Sequence, residues 1–321
     1  MKGKARFEIH LQKVENLLTK AREVKNPALW LLSNDLRTPM FMLEGLAKLY
    51  AKLHNEVIFT KLQNYFKEVE DALGGLDYFV AFQKEFALNQ HIPDSVKHYF
   101  DSKIKEKSAA LSDLLTESKW FSGKRLKKVR GKLGDVDWLD EEVETEALRA
   151  FYKKQVLKIE EFIKETTYDF DNIEDDVHEL RRKLRWLSIY AHALQGAVKL
   201  EEALPVDEHL GKYLTDAVVG SPFNKLPEDP KQTYFLLLEK NHFLALSWMI
   251  ASLGDIKDEG LKITAVQEAL LETGVVKESS DTTKAYDILG SDYPTMDSLL
   301  HLASEISKQF FEEKVLRGLV K

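Results

Sequence analysis

The chain contains no cysteine, and this absence excludes several kinds of site. Disulfides, thiolate nucleophiles and cysteine-ligated zinc or iron–sulfur centres all require a thiol. A chain without thiols is compatible with a reducing compartment, where disulfides do not persist. We therefore expect a cytoplasmic protein.

Long apolar runs are also scarce. The longest nearly apolar segment, residues 243–253, is too short to span a bilayer and predicts a buried helix. The first eight residues carry cations with no apolar stretch after them, so we expect no secretory signal. The sequence thus predicts no membrane partner.

The chain has no excess of positive charge. Its 46 Lys and Arg residues face 53 Asp and Glu residues, for a net charge of -7. A general duplex-DNA binder is usually basic overall, so no sequence-specific nucleic-acid partner is expected. A local basic groove remains possible, because steering of an anion depends on how charge is distributed.

Glycine and proline are few, at 15 and 8 among 321 residues. Between them, apolar residues recur at helical spacing, as in Leu62, Phe66, Val69, Leu73 and Leu76. Alternating strand patterns bounded by turn residues are nearly absent. The sequence therefore predicts an all-α fold with a core supported by 44% hydrophobic residues.

Two short patterns occur in the same order in each half of the chain. Residues 32–37 (Leu-Ser-Asn-Asp-Leu-Arg) match residues 176–181 (Asp-Val-His-Glu-Leu-Arg), and the Leu-Gly pair at 73–74 matches the pair at 253–254. Such repetition predicts two helical bundles related by a pseudo-twofold internal duplication. Glycines and aspartates in residues 131–137 predict a boundary between the two bundles, which would comprise residues 1–134 and residues 135–321.

One predicted helix separates cations from apolar residues with little mixing. Advancing about 100° per residue, Arg181, Arg182 and Arg185 fall within about 60° of His178, while leucines occupy the opposite side. The same periodicity predicts that His192 and Lys199 continue this face. A solvated helix face would explain the pattern, but such faces usually mix charges of both signs. An anion site and a solvated face both remain open.

The His-x-Leu-Arg motif, its further cations and the downstream Leu-Gly pairs resemble the CHAD family (conserved histidine α-helical domain). The resemblance implies a pair of four-helix bundles that bind inorganic polyphosphate in a basic channel between them, with no catalytic activity, metal or cofactor. His178, Arg181 and Arg185 stand at the family's histidine and cation positions, and Arg37 stands at the matching arginine of the first half.

The basic stripe of the first half is reduced. Asn34 stands where the family has its first histidine, and Phe41 and Met42 stand where a cationic pair is expected. Trp186 likewise replaces a commonly basic position. Lys48 and Lys52 are predicted to share a face with Asn34 and Arg37. The predicted polyanion-binding residues are His178, Arg181, Arg182, Arg185, Arg37, Lys48 and Lys52.

Other interpretations carry less support from the sequence. A helical interaction protein that kept the fold, lost polyphosphate binding and binds a protein partner is the main alternative. The basic residues at 124–132 suit a solvated helix end, and the acidic run at 168–176 suits a helix cap. Glu239 and His242 fit one half of a di-iron motif. No nucleotide-binding or nucleophile motif points to an enzyme.

Overall fold

The computed structural model describes residues 3–202, 208–278 and 282–321. The described chain is mostly helical and contains one short two-stranded sheet, which confirms the all-α prediction. The helices before residue 140 are α1 (Gly3–Ala21), α2 (Pro27–Ser33), α3 (Arg37–Leu53), α4 (Glu56–Ala87), α5 (Asp94–Glu117) and α6 (Lys124–Gly134). After it come α7 (Glu141–Glu165), α8 (Glu179–Ala193), α9 (Asp216–Val219), α10 (Lys240–Glu272), α11 (Thr283–Leu289) and α12 (Met296–Glu312).

Side-chain caps explain where several of these helices begin. The Asn26 side chain accepts a hydrogen bond from the Leu29 amide at 3.2 Å, and Pro27 occupies the first helical position of α2. Asn55 accepts from the Ile58 amide at 3.0 Å at the start of α4. Each oxygen satisfies an amide that has no partner within the first turn of its helix.

The acidic run before α8 forms a helix cap, as its composition predicts. Ile173–His178 is a π-helical turn that leads directly into α8. The Asn172 side chain accepts from the amides of Glu174 and Asp175 at 2.8 and 3.0 Å, and Asp176 accepts from the amides of residues 171 and 172. These contacts fix the direction in which α8 leaves the turn.

The prediction that the basic face extends to Lys199 is wrong. Helix α8 ends at Ala193, and Gln195 and Gly196 follow with φ values of 47° and 94°. Positive φ at two successive residues ends the helical path, because residues in a right-handed helix keep negative φ. Lys199 instead lies on β1 (Val198–Glu201), and its Nζ lies 3.4 Å from the centroid of the Phe235 ring.

Strand β1 pairs in parallel with β2 (Leu236–Glu239), from Val198 opposite Leu236 to Glu201 opposite Glu239. Leu238 also forms an isolated antiparallel bridge with Val320 near the end of the chain. Each strand has four residues, which is too short for an alternating pattern to identify it. The sheet fixes the long connection between α8 and α10.

Helices α3 and α8 pack against each other near the middle of the protein. A Cβ placed on Gly45 of α3 would lie 3.0 Å from Ile189 Cγ2 and 3.4 Å from Trp186 Cζ3 of α8. The absent side chain at Gly45 therefore lets the two backbones approach closely. This contact joins residues from both sides of the predicted boundary, and the main core cluster also draws on both sides. The boundary at 134 coincides with the end of α6.

A buried ionic network connects α1, α3 and α7. Arg6 Nη1 donates to Tyr50 Oη and Glu144 Oε2, both at 2.6 Å, and the Tyr50 hydroxyl donates to Glu144 Oε1 at 2.7 Å. Arg6 is 0% and Glu144 2% exposed. Removing one member of such a buried pair leaves the other charge without compensation.

In the described parts of the chain, no helix is long and apolar enough to cross a membrane.

We expect Glu144→Gln to lower the free energy of unfolding by about 3 kcal/mol, because Arg6 would stay buried beside a neutral partner. Glu146→Gln on the same helix is the matched control: Glu146 pairs with Arg149 in solvent, at 65% side-chain exposure. Its loss should cost less than about 1 kcal/mol. Urea denaturation measures both variants, and equal losses would contradict a special role for the buried pair.

Candidate anion-binding cavity

A cavity of about 540 Å³ lies between α3, α4, α7 and α8. Its lining contains twice as many Lys and Arg residues as Asp and Glu residues. The basic lining residues are Arg37, Lys48, Lys67, Lys158, Arg181, Arg182, Lys183 and Arg185, and the acidic ones are Glu44, Glu70, Asp71 and Glu179. A chain of net charge -7 thus contains a concave surface with an excess of positive charge.

Six of the seven predicted polyanion-binding residues line this one cavity. They are His178, Arg181, Arg182, Arg185, Arg37 and Lys48. Lys52 does not: it lies in the last turn of α3, about 6 Å beyond Lys48 along the axis, and its Nζ pairs with Glu56 Oε1 at 2.5 Å on the surface. The expectation that it shares the cavity face is therefore wrong.

The sequence did not point to Lys67 and Lys158, which reach the cavity from α4 and α7. Neither lies near the His178 motif in the chain, and no local pattern marks them. Only the packing of four helices around one space brings them to the arginines.

Arg37 is held between an acidic pair and a glycine. Its Nε donates to Glu70 Oε1 and its Nη1 to Asp77 Oδ2, both at 2.8 Å. A Cβ on Gly74 would lie 2.7 Å from Arg37 Nη2. The glycine thus leaves the space that the guanidinium occupies against α4.

Arg181 lies against a second glycine, on α10. Its Nε donates to the Ile250 carbonyl at 3.1 Å, and a Cβ on Gly254 would lie 3.0 Å from the same nitrogen. Burial lowers the pKa of Arg181, and the more distant carboxylates of Asp258 and Asp255 offset this in part. The partners of Arg181 are therefore a main-chain carbonyl and distant acids.

Arg185 stands one helical turn after Arg181, and its guanidinium carbon lies 4.5 Å from the centre of the Phe41 ring. Burial, together with the charges of Arg181 and Arg37, lowers the pKa of Arg185 to about 10, although the charge of Glu70 acts in the opposite direction. Within the described residues, neither Arg181 nor Arg185 forms an ion pair with a carboxylate. In the part of the chain that the structure describes, these two partly buried, mutually repelling cations therefore have no carboxylate in direct contact.

Phe41 and Trp186 form an aromatic base under these cations. Their ring centroids lie 6.2 Å apart. Lys48 Nζ lies 4.3 Å from the Trp186 centroid, while Phe41 contacts both Arg37 and Arg185. The electron-rich face of an aromatic ring attracts a cation. These two aromatic side chains thus hold the neighbouring cations in place.

Glu44 is a buried acid in the lining, at 4% exposure. Burial, together with the charge of Glu70, raises its pKa to about 7, while Lys67 and Lys48 act in the opposite direction. Its charge therefore changes near neutral pH, and the positive excess of the cavity is larger when Glu44 is protonated.

Carboxylates pair with several cations of the lining. Glu179 pairs with both Arg182 and Lys183, in the latter case at 2.9 Å. His178 Nδ1 lies 2.7 Å from Glu174 Oε2, one turn earlier on the same segment. This contact lowers the pKa of Glu174. His178 thus lines the cavity from a position fixed by its own helical turn.

Asn34, Met42 and His192 lie in a different place from the one the periodicity predicts. They line a second cavity of about 510 Å³ beside α1. Asn34 is the C-cap of α2 and precedes α3, so it does not share the face of Arg37. Of Asn34, Phe41 and Met42, only Phe41 lines the first cavity, between α3, α4, α7 and α8, which we call the arginine cavity.

The remaining charged motifs have structural partners. Arg130 of the basic cluster on α6 pairs with Glu8 and Glu15 of α1 at 2.7 and 2.8 Å. Glu239 accepts from the His242 amide at 2.7 Å and so caps α10. Among the described residues, no group of three or more His, Cys, Asp or Glu side chains could hold a metal ion.

Comparison with known proteins gives no match: no family model, no curated protein and no solved structure matches the chain. Assignment of a function therefore depends on the geometry and charge of the cavity.

The two adjacent glycines of α4 provide a matched test of how Arg37 is held. Nothing lies within 4 Å of a Cβ on Gly75, so Gly75→Ala should gain about 1 kcal/mol of helix propensity. Gly74→Ala should be less stable than Gly75→Ala by about 1.5 kcal/mol, because the new methyl displaces the Arg37 guanidinium from Glu70 and Asp77. Urea denaturation compares the two, and identical stabilities would contradict this packing.

Proposed function

We propose that the chain is a divergent member of the CHAD family, and that its central cavity binds inorganic polyphosphate or a similar linear polyanion without catalysis. One observation carries the proposal. Arg181 and Arg185 lie together beside Arg37 in a cavity, partly buried, and no described carboxylate forms an ion pair with either of them.

A bound anion would reduce the repulsion between these arginines. Neighbouring like charges in a partly buried site repel strongly, because less water screens them, and the charges of Arg181 and Arg37 do lower the pKa of Arg185. A phosphate group supplies the missing negative charge, and the planar guanidinium matches its oxygens through paired hydrogen bonds. Lys48, held over Trp186, adds a further cation on the opposite helix.

The two arginine–glycine contacts support an internal duplication. Leu36 and Arg37 correspond to Leu180 and Arg181, and each arginine lies against the glycine of a Leu-Gly pair on a long helix. Those helices, α4 and α10, have 32 and 33 residues. Two halves built on one plan would bring both arginines to a common interface, and this supports two bundles with pseudo-twofold symmetry.

We expect Lys48→Ala and Arg185→Ala each to weaken binding of long-chain polyphosphate by about tenfold or more, the usual cost of one charge-assisted contact. Lys52→Ala is the matched control, since it removes the same charge from the same helix one turn outside the cavity. Isothermal titration calorimetry at about 50 mM and about 200 mM salt should also show a steep loss of affinity with salt.

A salt-independent interaction, or equal effects of Lys48→Ala and Lys52→Ala, would overturn a site in this cavity. Absence of any binding at the lower salt concentration would favour a helical interaction protein that kept the fold and lost the ligand.

The titration of Glu44 predicts how binding depends on pH. Because its pKa is raised to about 7, lowering the pH from about 8 to about 6 removes a negative charge from the cavity. Long-chain polyphosphate should then bind about fivefold more tightly. Glu44→Gln should bind at the higher pH as tightly as the unaltered protein does at the lower one. A pH dependence that persists in this variant would contradict the role of Glu44.

A further inference from the structure

The cations of the arginine cavity fall into two groups according to their partners. In the first group each cation already has a carboxylate partner. Arg37 pairs with Glu70 and Asp77, Lys67 pairs with Asp71 at 2.6 Å, and Glu179 pairs with both Arg182 and Lys183. A phosphate that approached these cations would meet the carboxylate as well, and would have to displace it or be repelled by it.

The second group has no such partner among the residues described. It consists of Lys48, Lys158, Arg181 and Arg185. These four come from three helices: α3, α7 and α8. They converge on one space of about 540 Å³, so a single small ligand can contact them together.

The basic surface does not continue from the cavity along α3. The next cation on that helix, Lys52, is neutralised by Glu56. The basic cluster on α6 lies outside the lining, and its Arg130 is paired with Glu8 and Glu15 of α1. Beyond the cavity a polyanion would meet a protein of net charge -7, which offers little gain for further phosphates.

From this division, and on the basis of the proposed function, we infer that the ligand is a short oligophosphate of about triphosphate length, and that a long chain gains nothing beyond that length. An internal phosphate carries about one negative charge, and a terminal one about 1.5 to 2. A linear triphosphate therefore carries a charge of about -4 to -5. That charge is close to the charge of the four unpaired cations of the lining, and the match is closest when Glu44 is protonated.

The first test compares tripolyphosphate with long-chain polyphosphate by calorimetry over a series of salt concentrations, with ligand counted as whole molecules. Four neutralised negative charges predict a slope of log K against log salt of about -3 for both ligands. We expect equal slopes and affinities that agree within about threefold.

Two neighbouring arginines of α8 provide a matched pair of variants. Arg185→Ala removes an unpaired cation and should weaken tripolyphosphate binding by about tenfold or more. Arg182→Ala removes a cation that already pairs with Glu179, and should change the affinity by less than about threefold. Equal losses in the two variants would overturn the division into paired and unpaired cations.

Glu179→Gln tests the same idea by gain of function. The change releases Arg182 and Lys183 from their shared carboxylate with little change in shape. Additional phosphates would then find free cations, so this variant should bind the long chain more tightly than tripolyphosphate and with a steeper salt slope. An unchanged ratio between the two ligands would count against the inference.

The triphosphate unit occurs both as an inorganic chain and in nucleotides, and ATP serves as a third ligand to separate these sources. If ATP binds as tightly as tripolyphosphate, the triphosphate unit is sufficient for binding. If ATP binds more weakly, the ligand is the inorganic chain. Both outcomes support a short ligand. Tight binding of the long chain with none of tripolyphosphate would overturn the inference and leave the proposed function standing. Failure of all three ligands would refute the proposed function itself.

Discussion

The close contact between α3 and α8 is the constraint on which the rest of the structure depends. Gly45 permits it, since any side chain there would meet Ile189 and Trp186. Once the two helices touch, the cations on each face the same space, and α4 and α7 close that space on either side. The cavity is therefore a product of helix packing at one small residue.

Concentrating arginines in this space has an electrostatic cost, and the structure offsets it by different means on its two sides. Arg37 has two carboxylate partners and the surface of Gly74. Arg181 donates to the Ile250 carbonyl and lies against Gly254, and only carboxylates without a direct contact offset its charge. Arg185 lies against the Phe41 ring. Contact with a ring or a carbonyl compensates a buried charge less fully than a carboxylate does. The residual positive charge is thus concentrated on α8.

The structure gives Phe41 and Trp186 a different role from the one that their positions in the sequence suggest. The resemblance led us to expect cations at Phe41 and Trp186, yet both rings lie in the cavity and hold neighbouring cations against their faces. The rings carry no charge themselves and fix the positions of the cations beside them. Cations held in fixed positions favour a ligand whose charges match their spacing. This agrees with the short ligand that we infer.

The sequence by itself determined the helical class, the caps and the opposed faces of α8, because these follow from periodicity and local hydrogen bonds. It also identified the arginines and the Leu-Gly pairs that receive them. Only the tertiary structure decided which cations share the cavity: it excluded Lys52, added Lys67 and Lys158, and moved Lys199 to a strand. It also decided which of the cations are neutralised. Lys67, Arg182 and Lys183 pair with carboxylates three or four residues away on their own helices. Arg37 pairs with two carboxylates of α4, and no local pattern in the chain encodes those distances.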